Sequence, residues 1–298
     1  MANLRGKAAF ITGGASGIGL GIAKAFANAG MTIVIADIRQ DHLDHAVAAF
    51  ESRGQSVHPI HLDVTDRPAM AAAAATTQRL CGKVHVLVNN AGIGIGGPLK
   101  LAKYDDWDWG LDVNLNGVIN GIQEFLPRIL AHGEGGHIVN TASMAAVLPV
   151  SRAGIYIAAK AAVMALSEVL RGELADDNIG VSAFCPGPVQ TNLAQTGRLR
   201  PERFRRNSGY VEFEQRLGER PSNPLWMDHE EAGERVRRGV ERNDLFIFTH
   251  PEFKDGVRER CEAVLDAFPE EPIHRERAAA IGFLTSNPIY AQAKKGGR

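Results

Sequence analysis

Short apolar runs recur through the first 250 residues, and each is followed by a longer stretch in which apolar side chains return every three or four positions. The runs at 8–11, 32–36, 57–62, 84–88, 137–141, 181–185 and 246–248 predict seven strands. The stretches at 18–29, about 41–53, 156–174 and 230–240 predict helices, the first closed by Gly30. The alanine run 69–75 suits a helix interior, because alanine is the best helix former. Strands that are apolar throughout and alternate with helices indicate a parallel sheet covered on both faces. The expected fold is therefore α/β, a single doubly wound Rossmann-type domain with a parallel seven-stranded sheet.

No shift in composition marks a linker, so one domain is expected over residues 1–298. Two stretches are less regular. Residues 190–227 are rich in Arg, Pro, Gly and Asn, and 269–298 form a polar tail. Irregular segments this long are usually functional, so 190–227 is expected to be a substrate lid.

Composition narrows the function by exclusion. A net charge of -1 provides no global positive field for nucleic acid or an anionic membrane. Cys81, Cys185 and Cys261 lie far apart, so no disulfide framework is expected and a reducing cytoplasm is the expected home. No apolar run approaches the roughly 20 residues of a membrane span, and the N-terminus carries no signal-peptide pattern. His42 with His45, and His58 with His61, lack Cys or acidic partners at ligand spacing; they read as surface histidines, and no metal is expected.

Candidate chemistry starts where the first strand runs into Thr12-Gly13-Gly14-Ala15-Ser16-Gly17-Ile18-Gly19. Gly13, Gly17 and Gly19 allow backbone to approach a pyrophosphate, and the helix that follows points its positive end at that charge. Ser16 and Ile18 belong to the same loop. The strand–loop–helix context separates this loop from an ordinary turn. Asp37 closes the second strand, 18 residues beyond Gly19. An acid there accepts hydrogen bonds from the adenosine ribose and repels a 2′-phosphate. No Lys or Arg lies in the glycine loop, so NAD is the expected cofactor, while Arg39 keeps NADP open.

Tyr156 and Lys160 stand four apart, which puts both on one helix face. A phenol titrates near 10, and bringing it to about 7 takes roughly 4 kcal/mol of differential stabilisation. A neighbouring ammonium, helped by an oxidised nicotinamide, is the expected source. Ser143, 13 residues before Tyr156, is placed to hydrogen-bond an oxygen that changes between alcohol and carbonyl.

With these features in order, the sequence closely resembles the short-chain dehydrogenase/reductase family over about residues 5–250. Further matching motifs are Asn89-Asn90-Ala91-Gly92, Asp63-Val64, Asn114 and Pro186-Gly187. The resemblance implies Asp63 and Val64 near adenine, and Asn90 and Gly92 along the cofactor. It implies Pro186, Gly187 and Val189 beside the cofactor, with Thr191 at the carboxamide. It also implies that Asn114 holds a water linking Lys160 to a proton relay, and that the protein is a homo-oligomer, dimer or tetramer. The implied catalytic set is Asn114, Ser143, Tyr156 and Lys160. The apolar helix carrying Tyr156 is expected to cover the sheet on one side and another subunit on the other.

Tyr104-Asp105-Asp106-Trp107-Asp108-Trp109, with Arg198-Leu199-Arg200-Pro201 and Ser208-Gly209-Tyr210-Val211-Glu212, is similar to the branch containing dehydrogenases of lignin-derived aryl ethers. That resemblance implies oxidation of a benzylic secondary alcohol with NAD. Met144, Val147 and Leu148 are expected to form one apolar wall, and Tyr210 and Trp226 another. Trp107 and Trp109 read as core or subunit-interface residues. Arg198, Arg200, Arg203, Arg205 and Arg206 read as a solvated lid surface, with contact to an anionic substrate as the alternative. Rival readings are a ketoacyl, sugar or steroid reductase, or a regulator that senses nicotinamide without turning it over.

Overall fold

The computed structural model describes residues 3–217 and 223–296. Residues 1–2, 218–222 (part of the expected lid) and 297–298 (part of the expected tail) lie outside the described residues.

The chain alternates as expected. β1 (Ala8–Thr12), α1 (Gly17–Asn28), β2 (Thr32–Asp37), α2 (Gln40–Glu51), β3 (His58–His61), α3 (Arg67–Cys81) and β4 (Val86–Asn89) form the first half. Next come α4 (Tyr104–Leu111), a π-helical turn (Asp112–Asn116), α5 (Gly117–His132), β5 (Gly136–Thr141), the short α6 (Met144–Val147), α7 (Gly154–Glu173) and β6 (Ile179–Cys185). Then follow α8 (Val211–Leu217), α9 (His229–Arg242), β7 (Phe246–Phe248), α10 (Lys254–Asp266), α11 (Arg275–Ala280) and α12 (Pro288–Gly296).

The seven strands form one sheet in the order β3-β2-β1-β4-β5-β6-β7, all neighbours parallel. The order reverses between β1 and β4, the crevice where open α/β sheets bind ligands. Both faces are covered, so β1, β4, β5 and β6 are buried throughout. On one face α3, α5 and α7 supply Met70, Phe125 and Val163; on the other α1 and α9 supply Ile22, Phe26 and Val236. α1 and α9 touch backbone to backbone. A Cβ on Gly21 would lie 2.0 Å from the His229 carbonyl oxygen, and one on Gly233 2.2 Å from the carbonyl carbon of Gly21. Only glycine permits that approach.

Three details differ from the sequence expectations. Asn114 sits in the π turn rather than in a regular helix. The tail is not merely polar: α12 returns to lie against α7, burying Ile289, while the Tyr290 hydroxyl bonds Glu168. Part of the α7 surface expected to meet another subunit is thus covered by the chain's own C-terminus, though Val169 stays 54% exposed. Among the described residues no helix is long and apolar enough to cross a membrane.

Candidate active site

The C-terminal strand ends and the loops that follow them enclose a cleft of about 1280 Å³. Gly13, Ser16, Gly17, Ile18, Asp37, Asp63, Val64, Asn90, Gly92, Asn114, Ser143, Tyr156, Lys160, Pro186, Gly187, Val189 and Thr191 all border it. Residues scattered over 179 positions of sequence therefore converge on one cavity. Gly19 is the exception: it lies beneath the glycine loop, where a Cβ would come within 2.0 Å of the Gly13 carbonyl oxygen. Its role is to let the helix pack under the loop.

The loop is held from behind by Thr12, which the sequence reading did not single out. The Thr12 hydroxyl accepts from the amides of Asn90 (3.0 Å) and Ala91 (3.1 Å). The Asn90 side-chain amide donates to the carbonyls of Thr12 (3.1 Å) and Gly13 (3.2 Å). Gly13 and Gly17 take φ of 61° and 48°, turning the loop in the left-handed region. The Thr191 side chain closes on Gly17, 3.0 Å from the position of a Cβ.

At the β2 end of the cleft, burial raises the Asp37 carboxyl, opposed chiefly by the Arg39 amide donating to it at 3.1 Å. Asp37 therefore does contact the start of α2, while still bordering the cavity. The Arg39 guanidinium, which also borders the cleft, is paired with Asp41, contacting it through Nε at 3.0 Å. Asp63 holds its own turn, accepting from the amide and hydroxyl of Thr65 at 2.9 and 2.8 Å.

At the β5 end, Ser143 caps α6, accepting from the Ala145 amide at 3.1 Å, and its hydroxyl borders the same cleft as Tyr156, near enough to favour the phenolate. Burial raises the Tyr156 phenol above its ordinary range, and the Ser143 contact opposes that. Lys160 stands beside the ring. Its ammonium is 5.8 Å from the Tyr156 ring centroid and donates to the Thr141 carbonyl at 2.7 Å. Burial brings Lys160 itself down to about 8. The activating ammonium expected from sequence is thus beside the tyrosine but committed to Thr141. The Asn114 amide is likewise committed, exchanging bonds of 3.1 Å with the backbone N–H and C=O of Ile93. The π turn places it there, a distortion that often marks functional positions.

The wall residues were partly misread. Met144, Leu148 and Trp226 border the cleft, whereas Val147 is buried behind it. Tyr210 is no wall: 1% exposed, it joins a core cluster with Trp109 and Ile155, and its hydroxyl donates to the Gly97 carbonyl at 2.9 Å. Trp109 is core, as expected, and also edges the cleft. The arginines divide. Arg206 points outward, Arg198, Arg203 and Arg205 border the cleft, and Arg200 is buried in ion pairs to Asp106 (2.8 Å) and Glu214 (3.0 Å). No local sequence signal links Asp106 to Arg200, 94 positions away. His42 borders the cleft near Asp37. A different group, His85, His132 and Glu134, clusters at the opposite strand ends. There both His132 ring nitrogens are engaged, by the Val84 carbonyl and the Glu134 amide.

Comparison with known proteins agrees with this geometry. Residues 7–201 match the family model for short chain dehydrogenases. A C alpha-dehydrogenase from Sphingobium sp. strain SYK-6 is 39% identical over 305 residues, covering 100% of both chains. The apo form of LigO from that strain is 38% identical with a TM-score of 0.74, over 99% of this chain and 96% of that one. A short chain dehydrogenase/reductase from Burkholderia phymatum, solved in complex with NAD, is 34% identical with a TM-score of 0.84, over 92% of this chain and 99% of that one. This chain belongs to the short-chain dehydrogenase/reductase family and is an oxidoreductase.

Proposed function

We propose that the protein oxidises a bulky aromatic secondary alcohol of the benzylic, β-aryl ether type to its ketone, with NAD as cofactor, and acts as a homo-oligomer in the cytoplasm. The observation that carries this reading is the convergence of Ser143, Tyr156, Lys160 and Asn114 on the same cleft as the glycine loop and Asp37. A C alpha-dehydrogenase 39% identical over the full length supports the substrate class. Leu148, Phe213, Trp226 and Phe253 give the cleft apolar and aromatic surface for a flat substrate.

The residues present fit a dinucleotide. Gly13 and Gly17 form a left-handed turn with no side chain of their own, and the N-terminus of α1 lies behind it. Asp37 borders the cleft where an adenosine ribose would lie, and Arg39 is engaged by Asp41, which favours NAD over NADP. When bound, NAD supplies the hydride acceptor. Tyr156 Oη takes the hydroxyl proton of the alcohol, and Ser143 Oγ holds the same oxygen as it becomes a carbonyl. Lys160, released from Thr141, holds the ribose and adds positive charge beside the phenol, reversing the upward push of burial. Asn114, fixed through Ile93, positions the water that returns the proton to solvent. Residues 190–227 close over the substrate as a lid, within one domain spanning 1–298.

The experiment is to mix the protein with NAD, or separately NADP, and a β-aryl ether bearing a benzylic alcohol, and follow reduced nicotinamide. Turnover with NAD and little with NADP is expected. Turnover confined to ketoacyl, sugar or steroid substrates would replace the substrate class, and none on any alcohol, with NAD bound, would point to a sensor.

A further inference from the structure

Three arginines of the cleft form no close ion pair among the described residues. Arg203 and Arg205 lie on the segment that follows the Pro186-Gly187 turn, and Arg152 lies on the loop just before α7; all three border the cavity. Their location is the substrate end. That segment rests on the loop after β4, where the Gly94 amide donates to the Thr196 hydroxyl at 2.8 Å. The Arg152 backbone carbonyl, four residues before Tyr156, accepts from the Gly97 amide at 2.8 Å. Asp37 is on β2, beyond β1 in the sheet and on the other side of the crevice.

The charges there are unbalanced. Among the described residues no ion pair joins Arg152, Arg203 or Arg205 to a carboxylate, and each remains exposed or half-buried. Of the acids bordering the cleft, Asp37 and Asp63 follow β2 and β3, and Asp112 accepts from Asn116 at 2.9 Å. Glu214, on the lid segment, is bound by Arg200 at 3.0 Å and lies only within longer electrostatic range of Arg205. Arg235, Arg237, Arg242 and Arg258, on the surface away from the cleft, each hold a carboxylate. A chain of net charge -1 thus gathers unpaired cations at one cavity mouth, where low-dielectric walls focus their field.

The cations are also held in place. Arg205 donates through Nε to the Arg200 carbonyl (2.9 Å) and through Nη2 to the Arg198 carbonyl (3.1 Å). The Arg203 guanidinium stacks over the Phe204 ring at 4.7 Å. Restraint of this kind lowers the entropic cost of receiving an anion and suits a bidentate partner.

We propose that the natural alcohol carries a carboxylate at the end remote from its reacting carbon, and that Arg203 and Arg205, with Arg152, receive it. The proposal rests on the reading of this cleft as an aromatic-alcohol dehydrogenase site and narrows it to anionic aromatic alcohols.

The test uses the full-length protein with NAD and two β-aryl ethers bearing the same benzylic alcohol. One carries a carboxylate on its distal ring, the other the methyl ester. The carboxylate should be favoured at least about tenfold in kcat/KM, mainly through KM, and the advantage should shrink as salt rises. The double variant Arg203→Met with Arg205→Met should bring the two substrates level, while Arg205→Lys, which keeps the charge, should retain part of the preference. An ester turned over as well as the acid in the wild type overturns the proposal and leaves the aromatic-alcohol reading standing. If neither alcohol is turned over, calorimetry with the two corresponding ketones and NADH decides. Tighter binding of the acid then supports the anion site while sinking the reaction, and equal or absent binding overturns both.

Discussion

Asp106 and Arg200 meet at 2.8 Å with neither side chain exposed, and the Arg200 guanidinium lies 4.3 Å from the Trp109 ring centroid. Asp106 also receives the amides of Lys103 (3.0 Å) and Gly209 (2.9 Å) and the Ser208 hydroxyl. One carboxylate on α4 therefore ties down the segment that follows Pro186-Gly187. Breaking a buried pair leaves an uncompensated charge, a loss of about 3–5 kcal/mol. Arg200→Leu should lower stability by that order and raise KM for the alcohol well above any change in KM for NAD. Denaturant titration with steady-state kinetics checks it; a variant as stable as the parent would show that the pair contributes little.

Gly19→Ala tests the glycine packed beneath the loop. The added methyl has only 2.0 Å to the Gly13 carbonyl oxygen, which is backbone and cannot turn aside. The loop must shift, and NAD affinity should fall by at least about tenfold, since one lost phosphate contact is worth about that much. Fluorescence titration with NADH measures it. Unchanged affinity would mean that the helix, not the loop, gives way.

Much of this was legible along the chain because it is local. The glycine loop, Asp37, Ser143 and the Tyr156–Lys160 spacing each sit at the end of a strand or on one helix face, where periodicity alone places them. Three features were not legible. The buried Asp106–Arg200 pair, Tyr210 bonding Gly97 across 113 positions, and the aim of Lys160 at Thr141 depend on which loops the sheet order brings together. Arg200 was indistinguishable in sequence from Arg206, four-fifths exposed beside it, because a run of arginines says nothing about which one finds a partner. The role of α12 on α7 was hidden for a related reason: one buried isoleucine in a polar tail carries no periodic signal.

His137 predicts an acid limb. It lies fully buried in β5, with Nε2 2.8 Å from the Ser182 hydroxyl and Nδ1 without a hydrogen-bond partner among the described residues. Burial holds it neutral down to about 3, against an ordinary 6.5. Between those values the unfolded chain binds the extra proton and the folded one does not, so stability falls as pH drops through that window. The loss should approach about 4 kcal/mol near pH 3. Urea titrations from pH 7 to 4 should show His137→Gln, which cannot protonate there, with a flatter decline than the parent; parallel declines would assign the acid limb elsewhere.

Asp37→Ser tests the proposed preference for NAD over NADP. With Arg39 held by Asp41, replacing Asp37 by Ser removes the repulsion toward a 2′-phosphate and a ribose partner together. The ratio of kcat/KM for NAD over NADP should fall by at least about tenfold. A ratio unmoved by the substitution would place the discrimination elsewhere in the cleft.

The most direct test of the central claim is Tyr156→Phe, which keeps the ring that packs beside Lys160 and removes only the hydroxyl. With a benzylic alcohol and saturating NAD, turnover should drop by at least about 100-fold, the usual scale for losing a general base, while NADH binding is retained. Wild-type oxidation should meanwhile rise with pH as the phenol deprotonates. Near-normal turnover in the variant, with cofactor still bound, would contradict the assignment of Tyr156 as the group that takes the proton.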